Sequence, residues 1–246
     1  MTASAHKSNE EIIEEAKVAF KGQWGDVILA FILSAVINSL IGLGLFAILG
    51  VIQFIASFIF SYEIRGLLSL VLIPPFALIW LIFQGRVWIW QSNFVLRKSR
   101  GENPSFTDFN NLFLGFTTKD EIKSSLLDVN NVLKLLWPGF TLLLMVIAID
   151  LGYLLLIVPG IIISFMLIMV PFVAVEEPQL NPLQVLQKSA DTMNGHKMKL
   201  FYCYLKLLPL FILCLLPCGI GLLWFGPYMS FVLAKFYDAH RINEVR

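Results

Sequence analysis

Long uncharged apolar runs dominate the chain, in place of strand-like alternation or a single helical stripe. They cover residues 27–62, 66–85 (continuing past Arg86 to Leu96), 135–149, 151–175 and 207–234. A helix rising about 1.5 Å per residue needs about 20 apolar residues to cross a hydrocarbon core of about 30 Å, so run length predicts spans. The Val158-Pro159-Gly160 break divides residues 135–175 into two spans, because Pro removes a backbone donor and Gly permits a reversal. Pro217-Cys218-Gly219 divides the last run, from about Leu200 to Tyr237, in the same way.

Residues 27–62 are too long for one span and short for two, with Gly42, Gly44 and Gly50 in the middle. As one span followed by a re-entrant or interfacial segment over 43–62, they give six spans with both termini cytoplasmic. Of the 18 Lys and Arg, only Arg65 then lies outside and only Arg86 within a span. An extra span would send Arg97, Lys98, Arg100, Lys188, Lys197 and Lys199 to the outer side, against the positive-inside tendency. The expected spans are 27–48, 68–94, 133–156, 160–176, 200–217 and 220–238.

Three polar segments carry helical periodicity. Ser8 and Glu11 form a capping box ahead of Ile12, Ile13, Ala16, Ala19 and Phe20. Asn181 as N-cap and Pro182 at the first helical position precede Leu183, Leu186, Ala190 and Met193, with Gly195 as terminator. Phe106, Phe109, Phe113 and Phe116 follow a Gly101-Glu102-Asn103-Pro104 turn. All three are expected as amphipathic helices at the cytoplasmic interface, anchored in headgroups or facing a partner. The first two align at an offset of 173 residues, pairing Ser8 with Asn181, Ile13 with Leu186, Phe20 with Met193 and Gly22 with Gly195. That spacing suggests a duplicated helix-then-hairpin unit.

The expectation is therefore an all-α, polytopic transmembrane bundle forming one integral membrane domain over 1–246. Its parts are an amphipathic N-terminal helix (1–26), a first hairpin (27–96), a cytoplasmic segment (97–132), a second hairpin (133–176), an amphipathic helix (177–199), and a third hairpin with a short tail (200–246).

Composition agrees. The chain is 58% hydrophobic and 14% charged, against about 25% charged in soluble domains. A net charge of +1 points to neither nucleic acid nor an acidic substrate. Cys203, Cys214 and Cys218 lie in one apolar stretch and read as small hydrophobes. The first 26 residues lack the basic start, apolar core and cleavage site of a secretory signal, so the first span is expected to direct insertion. The predicted location is the cytoplasmic (inner) membrane, multi-pass, among lipid and a membrane-protein partner or a second copy.

Ser189-Ala190-Asp191-Thr192-Met193-Asn194-Gly195-His196-Lys197-Met198-Lys199-Leu200-Phe201 and Gly219-Ile220-Gly221-Leu222-Leu223-Trp224-Phe225-Gly226-Pro227-Tyr228 carry a family resemblance. So do Arg100-Gly101-Glu102-Asn103-Pro104-Ser105-Phe106 with Leu112-Phe113, Val158-Pro159-Gly160, Lys21-Gly22-Gln23-Trp24 and Phe236-Tyr237. Together they resemble a bacterial family of uncharacterised six-span membrane proteins, a domain of unknown function similar to the membrane domain attached to some glycerophosphodiester phosphodiesterases. In those enzymes the chemistry belongs to a separate soluble barrel, so the resemblance implies a fold and no activity.

Recognisable catalytic chemistry is missing from the sequence. His6, His196 and His240 show no metal-ligand spacing, and no nucleophile elbow or phosphate loop occurs. No cofactor, metal or catalytic residue is expected. Ionisable groups inside a membrane are functional candidates by default. Arg86, Lys206 and Lys235 lie near enough to the expected boundary to snorkel. Asp150 has no Lys or Arg within ten positions and is either a proton or cation site or a carboxylate in a wet crevice bonded to Tyr153. Asn38, Gln53 and Gln84 are expected to bond neighbouring helices. The candidate intramembrane polar site is Asp150, Asn38, Arg86 and Lys206. A non-enzymatic scaffold or accessory factor is the first functional reading, a small transporter using Asp150 the second, and a lipid-acting enzyme the third.

Overall fold

The computed structural model describes residues 7–105, 129–216 and 219–241, with backbone alone for 129–135. Among the described residues the chain is helical throughout, in the order α1 (Asn9–Phe20), α2 (Trp24–Ile59), α3 (Tyr62–Ser99), α4 (Val129–Leu155), α5 (Ile157–Leu167), α6 (Val170–Glu176), α7 (Pro182–Thr192), α8 (Lys197–Leu215) and α9 (Leu222–His240). Five helical stretches are long and apolar enough to cross a membrane: Trp24–Ile59, Tyr62–Ser99, Leu136–Leu155, Ile157–Glu176 and Lys197–Leu215. Leu222–His240, the expected sixth, is not among them. It carries Lys235 and Asp238 and is largely buried against its neighbours.

The first hairpin departs from the expected form. Instead of a span and a re-entrant segment, α2 runs unbroken for 36 residues and reverses at Phe60 and Ser61 into the 38-residue α3. Gly42, Gly44 and Gly50 do not break it: each costs only about 1 kcal/mol in a helix, and α3 packs along α2. Inside the hairpin, Gly42 lets the Trp80 indole approach, and Gln53 donates to the Ser69 hydroxyl at 2.9 Å. Toward the reversal both helices leave large side chains exposed: Phe46, Phe54, Phe58, Leu67, Leu70 and Val71 keep 65 to 76% of their surface.

The reversal of the second hairpin falls at Leu156, whose extended backbone ends α4. Pro159 therefore lies in the first turn of α5, where its missing N–H costs nothing. Helix α4 is joined to its neighbours by glycines. A Cβ on Gly85 of α3 would stand 2.5 Å from the Pro138 carbonyl, and one on Gly139 would stand 2.5 Å from the Ile82 Cα. Gly152 meets Ile163 and Gly160, while Gly160 receives the Tyr153 ring. Gly221 does the same against Cys214 in the last hairpin, whose reversal uses the left-handed Gly219 (φ 80°).

Both capping boxes form: Ser8 with Glu11 opens α1, and Asn181 with Gln184 opens α7. Each helix stops at a left-handed glycine, Gly22 (φ 88°) and Gly195 (φ 76°). The 173-residue offset extends to burial. Ile12 and Val185, Ala16 and Ser189, Val27 and Leu200, Ala30 and Cys203, and Ser34 and Leu207 are all buried. The two units thus share cap, terminator and inward face.

Of the expected stripe, Met193 at the C-cap of α7 is buried, Leu186 and Ala190 are half-buried and Leu183 is exposed; within α7 the buried row is Val185, Ser189 and Thr192. The Ser189 hydroxyl donates to the Met166 carbonyl of α5 at 2.8 Å, a bond that fixes the rotation of α7. Helix α1 docks on α8 and α9, with Phe20 edge-on to Tyr228 and Phe231. The expected aromatic helix around Phe106 to Phe116 lies outside the described residues.

The main core holds Trp90, Phe94, Val95 and Leu96 of α3, Val170, Phe172 and Val173 of α6, and Phe231, Val232 and Phe236 of α9.

Candidate functional site

Charge gathers where helix ends converge. Arg100, the C-cap of α3, donates from Nε to both Asp238 carboxylate oxygens at 3.1 and 3.2 Å and from Nη2 to Glu176 and Asp238. Glu176 also accepts from the Tyr237 hydroxyl at 2.8 Å and from Arg241 at 2.9 Å. This knot ties the C-terminal ends of α3, α6 and α9. Both arginines face the negative ends of helix dipoles, and the two cations and two carboxylates balance. Burial opposes the charge on Arg100, but hydrogen bonds and attraction from Asp238 and Glu176 win, raising its pKa above the ordinary guanidinium value.

Beside the knot, Lys98 has only 4% of its surface exposed and donates to Asp26 of α2 at 2.7 Å and to Asn103 at 3.2 Å. Lys188 of α7 pairs with Glu177 at 2.6 Å. His196 and His240, 44 residues apart, meet with ring centroids 4.3 Å apart and planes tilted by 55°. His240 Nδ1 lies 2.8 Å from the Phe236 carbonyl and must carry the proton there, so its Nε2 accepts from Lys199 at 3.1 Å.

Three cavities bear on function. The first, about 560 Å³, is an apolar groove between α2 and α9, lined by Phe31, Ala35, Ser39, Leu222 and Gly226 among others. The second, about 350 Å³, lies inside the bundle between Trp88, Gln91, Ser92, Met145, Phe172 and Ser230. The third, about 500 Å³, is polar and sits between the first turn of α1 and one face of α8: Ser8, Asn9, Glu10, Lys199, Tyr202 and Lys206.

The four candidate residues fall on four different helices. Asp150 is exposed on α4 and, among the described residues, makes no hydrogen bond or ion pair; the Tyr153 hydroxyl instead accepts from Ser164 at 3.4 Å. Asn38 is half-buried on α2. Arg86 is half-buried on α3, beside the Gly85 contact with α4. Lys206 donates to Glu10 at 2.7 Å and is the one of the four that lines any of these three cavities. The Lys206 hydrogen bond and charge hold the Glu10 carboxyl below the ordinary carboxylate range. Sequence reasoning missed the Arg100 knot, the histidine pair and the polar cavity, because their members are separated by 41 to 196 positions. The one usable signal was the placement of charges just beyond apolar runs. Among the described residues no three His, Cys, Asp or Glu side chains gather as metal ligands.

No curated protein and no solved structure matches the chain. Residues 139–244, from the glycine crossing of α4 through the end of α9, match the family described as Protein of unknown function (DUF975), so the C-terminal part of this multi-pass, all-helical chain is similar to an uncharacterised family.

Proposed function

We propose that the protein is a non-catalytic scaffold or accessory factor of the cytoplasmic membrane, which offers the outer part of the α2–α3 hairpin to another membrane protein or a second copy. Both termini lie on the cytoplasmic side, and α9 completes a sixth span. The observation that carries this reading is the length of the hairpin. A helix of 36 residues extends about 54 Å, against a hydrocarbon core of about 30 Å. Tilting by about 40°, the upper end of the observed range, still leaves it spanning about 41 Å. Roughly 10 Å of apolar helix on each strand therefore needs a cover that lipid does not supply, and Phe54, Phe58, Leu67 and Leu70 are the side chains it would contact.

A small transporter is the second reading, through the intramembrane carboxylate Asp150. Against it stand the exposure of Asp150 and its absence from the lining of all three cavities.

The test is purification from native membranes in mild detergent, with mass spectrometry of co-purifying proteins and sizing of the complex. The scaffold reading expects a stoichiometric partner or dimer that is lost on Phe54→Ala/Phe58→Ala and retained on Asp150→Asn. A monomer without protein partners, carrying a small molecule lost on Asp150→Asn, would put transport in its place.

A further inference from the structure

The span formed by α5 and α6 is broken beside the inner cavity. Helix α5 ends at Leu167 and α6 begins at Val170, and the Leu167 carbonyl has no helical donor four residues on, because that residue is Pro171. Ile168 and Pro171 both line the cavity of about 350 Å³. Irregular backbone at membrane depth is tolerated where protein buries it or where it lines a polar cavity. Trp88, Gln91 and Ser92 line this one, and among the described residues their side chains make no hydrogen bond. The Ser230 hydroxyl donates to the Gly226 carbonyl at 3.1 Å, which leaves its oxygen free to accept. Among the described residues no charged side chain lines the cavity.

The charged helix ends fix its depth. Val95 precedes Lys98 by three residues, Phe172 precedes Glu176 by four and Leu233 precedes Asp238 by five, so the cavity lies roughly 5 to 8 Å beneath the charged layer. A headgroup layer is about that thick on each side of the hydrocarbon core. The apolar groove of about 560 Å³ adjoins the cavity on its inner side. Phe31 lines both, and one face of α9 passes from Leu222 and Gly226 on the groove to Ser230 and Leu233 on the cavity, at steps of three and four. A Cβ on Gly226 would meet the Phe31 ring at 4.0 Å, so one aromatic ring stands at the junction. Along α2 the groove extends from Ile28 to Leu40, about 18 Å, against about 15 Å for one leaflet's half of the hydrocarbon core.

We infer that cavity and groove form one binding site for an uncharged single-chain amphiphile, a long-chain alcohol or glycerol monoester, whose hydroxyl end sits among Gln91, Ser92 and Ser230 and whose hydrocarbon chain lies between α2 and α9. Mostly apolar walls with a few placed hydrogen-bonding groups are the ordinary make-up of a small-molecule site. The head must be neutral, because a charge would lose its hydration against a lining without a counter-ion. The nearby charges are already taken up, Lys98 by Asp26 and Asn103, and Arg100 by Glu176 and Asp238. One groove leads from the cavity, so one chain is accommodated. The site goes beyond the scaffold reading and does not depend on it.

The experiment uses the full chain in phosphatidylcholine nanodiscs and a monoacylglycerol carrying a photoreactive diazirine midway along its chain, with labelled peptides located by mass spectrometry. The expected result is labelling concentrated on the groove segments of α2 and α9, competed about tenfold better by monooleoylglycerol than by octadecene or by the charged lysophosphatidylglycerol. Gln91→Leu should cut the preference for monooleoylglycerol over octadecene about fivefold, by removing hydrogen bonds to the head. Ala35→Leu narrows the groove and should shift the preferred competitor to a shorter chain. The labelling map of the parent protein is decisive whether or not a variant folds. Labelling spread over every lipid-facing helix, lysophosphatidylglycerol competing as well as monooleoylglycerol, or both preferences surviving the substitutions would overturn the inference. So would a disulfide-linked dimer of Ser39→Cys that the parent does not form, because a helix of a second copy would then fill the groove.

Discussion

Replacing Gly85 with Ala tests the most demanding contact in the bundle. The added Cβ would stand 2.5 Å from both the carbon and the oxygen of the Pro138 carbonyl and 2.6 Å from the Gly139 amide nitrogen. Every neighbour is backbone, so no side chain can turn aside. Ordinary contact needs about 3.5 Å, and α3 and α4 must part by roughly 1 Å. A gap of that size forfeits about a quarter to a half of the dispersion energy of the atoms facing it. Packing is the main force between helices in lipid, where burial against hydrocarbon gains little. Overpacking of this kind costs about 1 to 3 kcal/mol, and the rigidity of Pro138 places the expected loss at the upper end, about 2 to 3 kcal/mol. Gly139→Ala meets the Ile82 backbone and should cost a similar amount. The double variant should cost less than the sum, because helices already parted by one methyl admit the second. Unfolding in mixed micelles, followed by tryptophan fluorescence, measures all three. Gly44→Ala and Gly50→Ala, with nothing within 4 Å of the new methyl, are the controls and should be neutral or slightly stabilising. A Gly85→Ala protein within about 0.5 kcal/mol of the parent would refute the crossing as described, since surface-type changes fall in that range.

Arg100→Ala should destabilise by about 1 to 3 kcal/mol by leaving Glu176 and Asp238 without their shared cation, and Arg100→Lys should recover only part of this, having lost the fork; a double-mutant cycle with Asp238→Ala isolates the pair. The pKa of Arg100 is raised, so its contribution is complete below the ordinary guanidinium value and is lost only as pH rises past the folded one; between roughly pH 6 and 10 stability should not change on its account. Glu10 has the opposite sign. Its pKa is lowered, so the tie to Lys206 is present above the ordinary carboxylate range of about 4.3 and fails as pH falls through the lowered value, which spin-label distances between α1 and α8 would record as loosening confined to acid. Ser189→Ala should cost about 1 kcal/mol by removing the donor to the Met166 carbonyl, whereas Leu183→Ala on the exposed side should be within about 0.5 kcal/mol of the parent, both by the same unfolding assay.

Run length made the helical class legible, since uncharged stretches of this length admit little else. Caps were legible too: the box of Ser8 with Glu11 and the N-cap Asn181 act within four residues, and local chemistry decides them, although Gln184 as the partner of Asn181 emerges only in the structure. The offset of 173 was visible in four pairs of positions and proves to include the buried faces of the helices that follow. Where the reading departed from the structure, the deciding term was tertiary. Helix α2 passes through Gly42, Gly44 and Gly50 because α3 lies along it, and no property of residues 43–62 alone says so. Within α7 the buried row runs through Val185, Ser189 and Thr192, with Leu183 left outside, and the Ser189 hydroxyl reaches a carbonyl on α5. The search for a site followed the rule that buried charge is functional and selected Asp150, Asn38, Arg86 and Lys206 helix by helix. Lys206 alone lines a cavity, and its partners are near the far end of the sequence, where no periodicity connects them.

The seat of α1 is built almost entirely from the last fifth of the chain. Asn9 bonds to Lys199, Glu10 to Lys206, and Phe20 rests on Tyr228 and Phe231. During synthesis at about 5 to 20 residues per second, α1 waits on the order of 10 to 40 seconds for the surface that receives it. In that interval its inward residues Ile12, Ala16 and Phe20 lack the surface that covers them in the folded chain. Its docking is thus a late event of assembly, and a ribosome that stalls before α9 leaves α1 without Tyr228 and Phe231 to rest on.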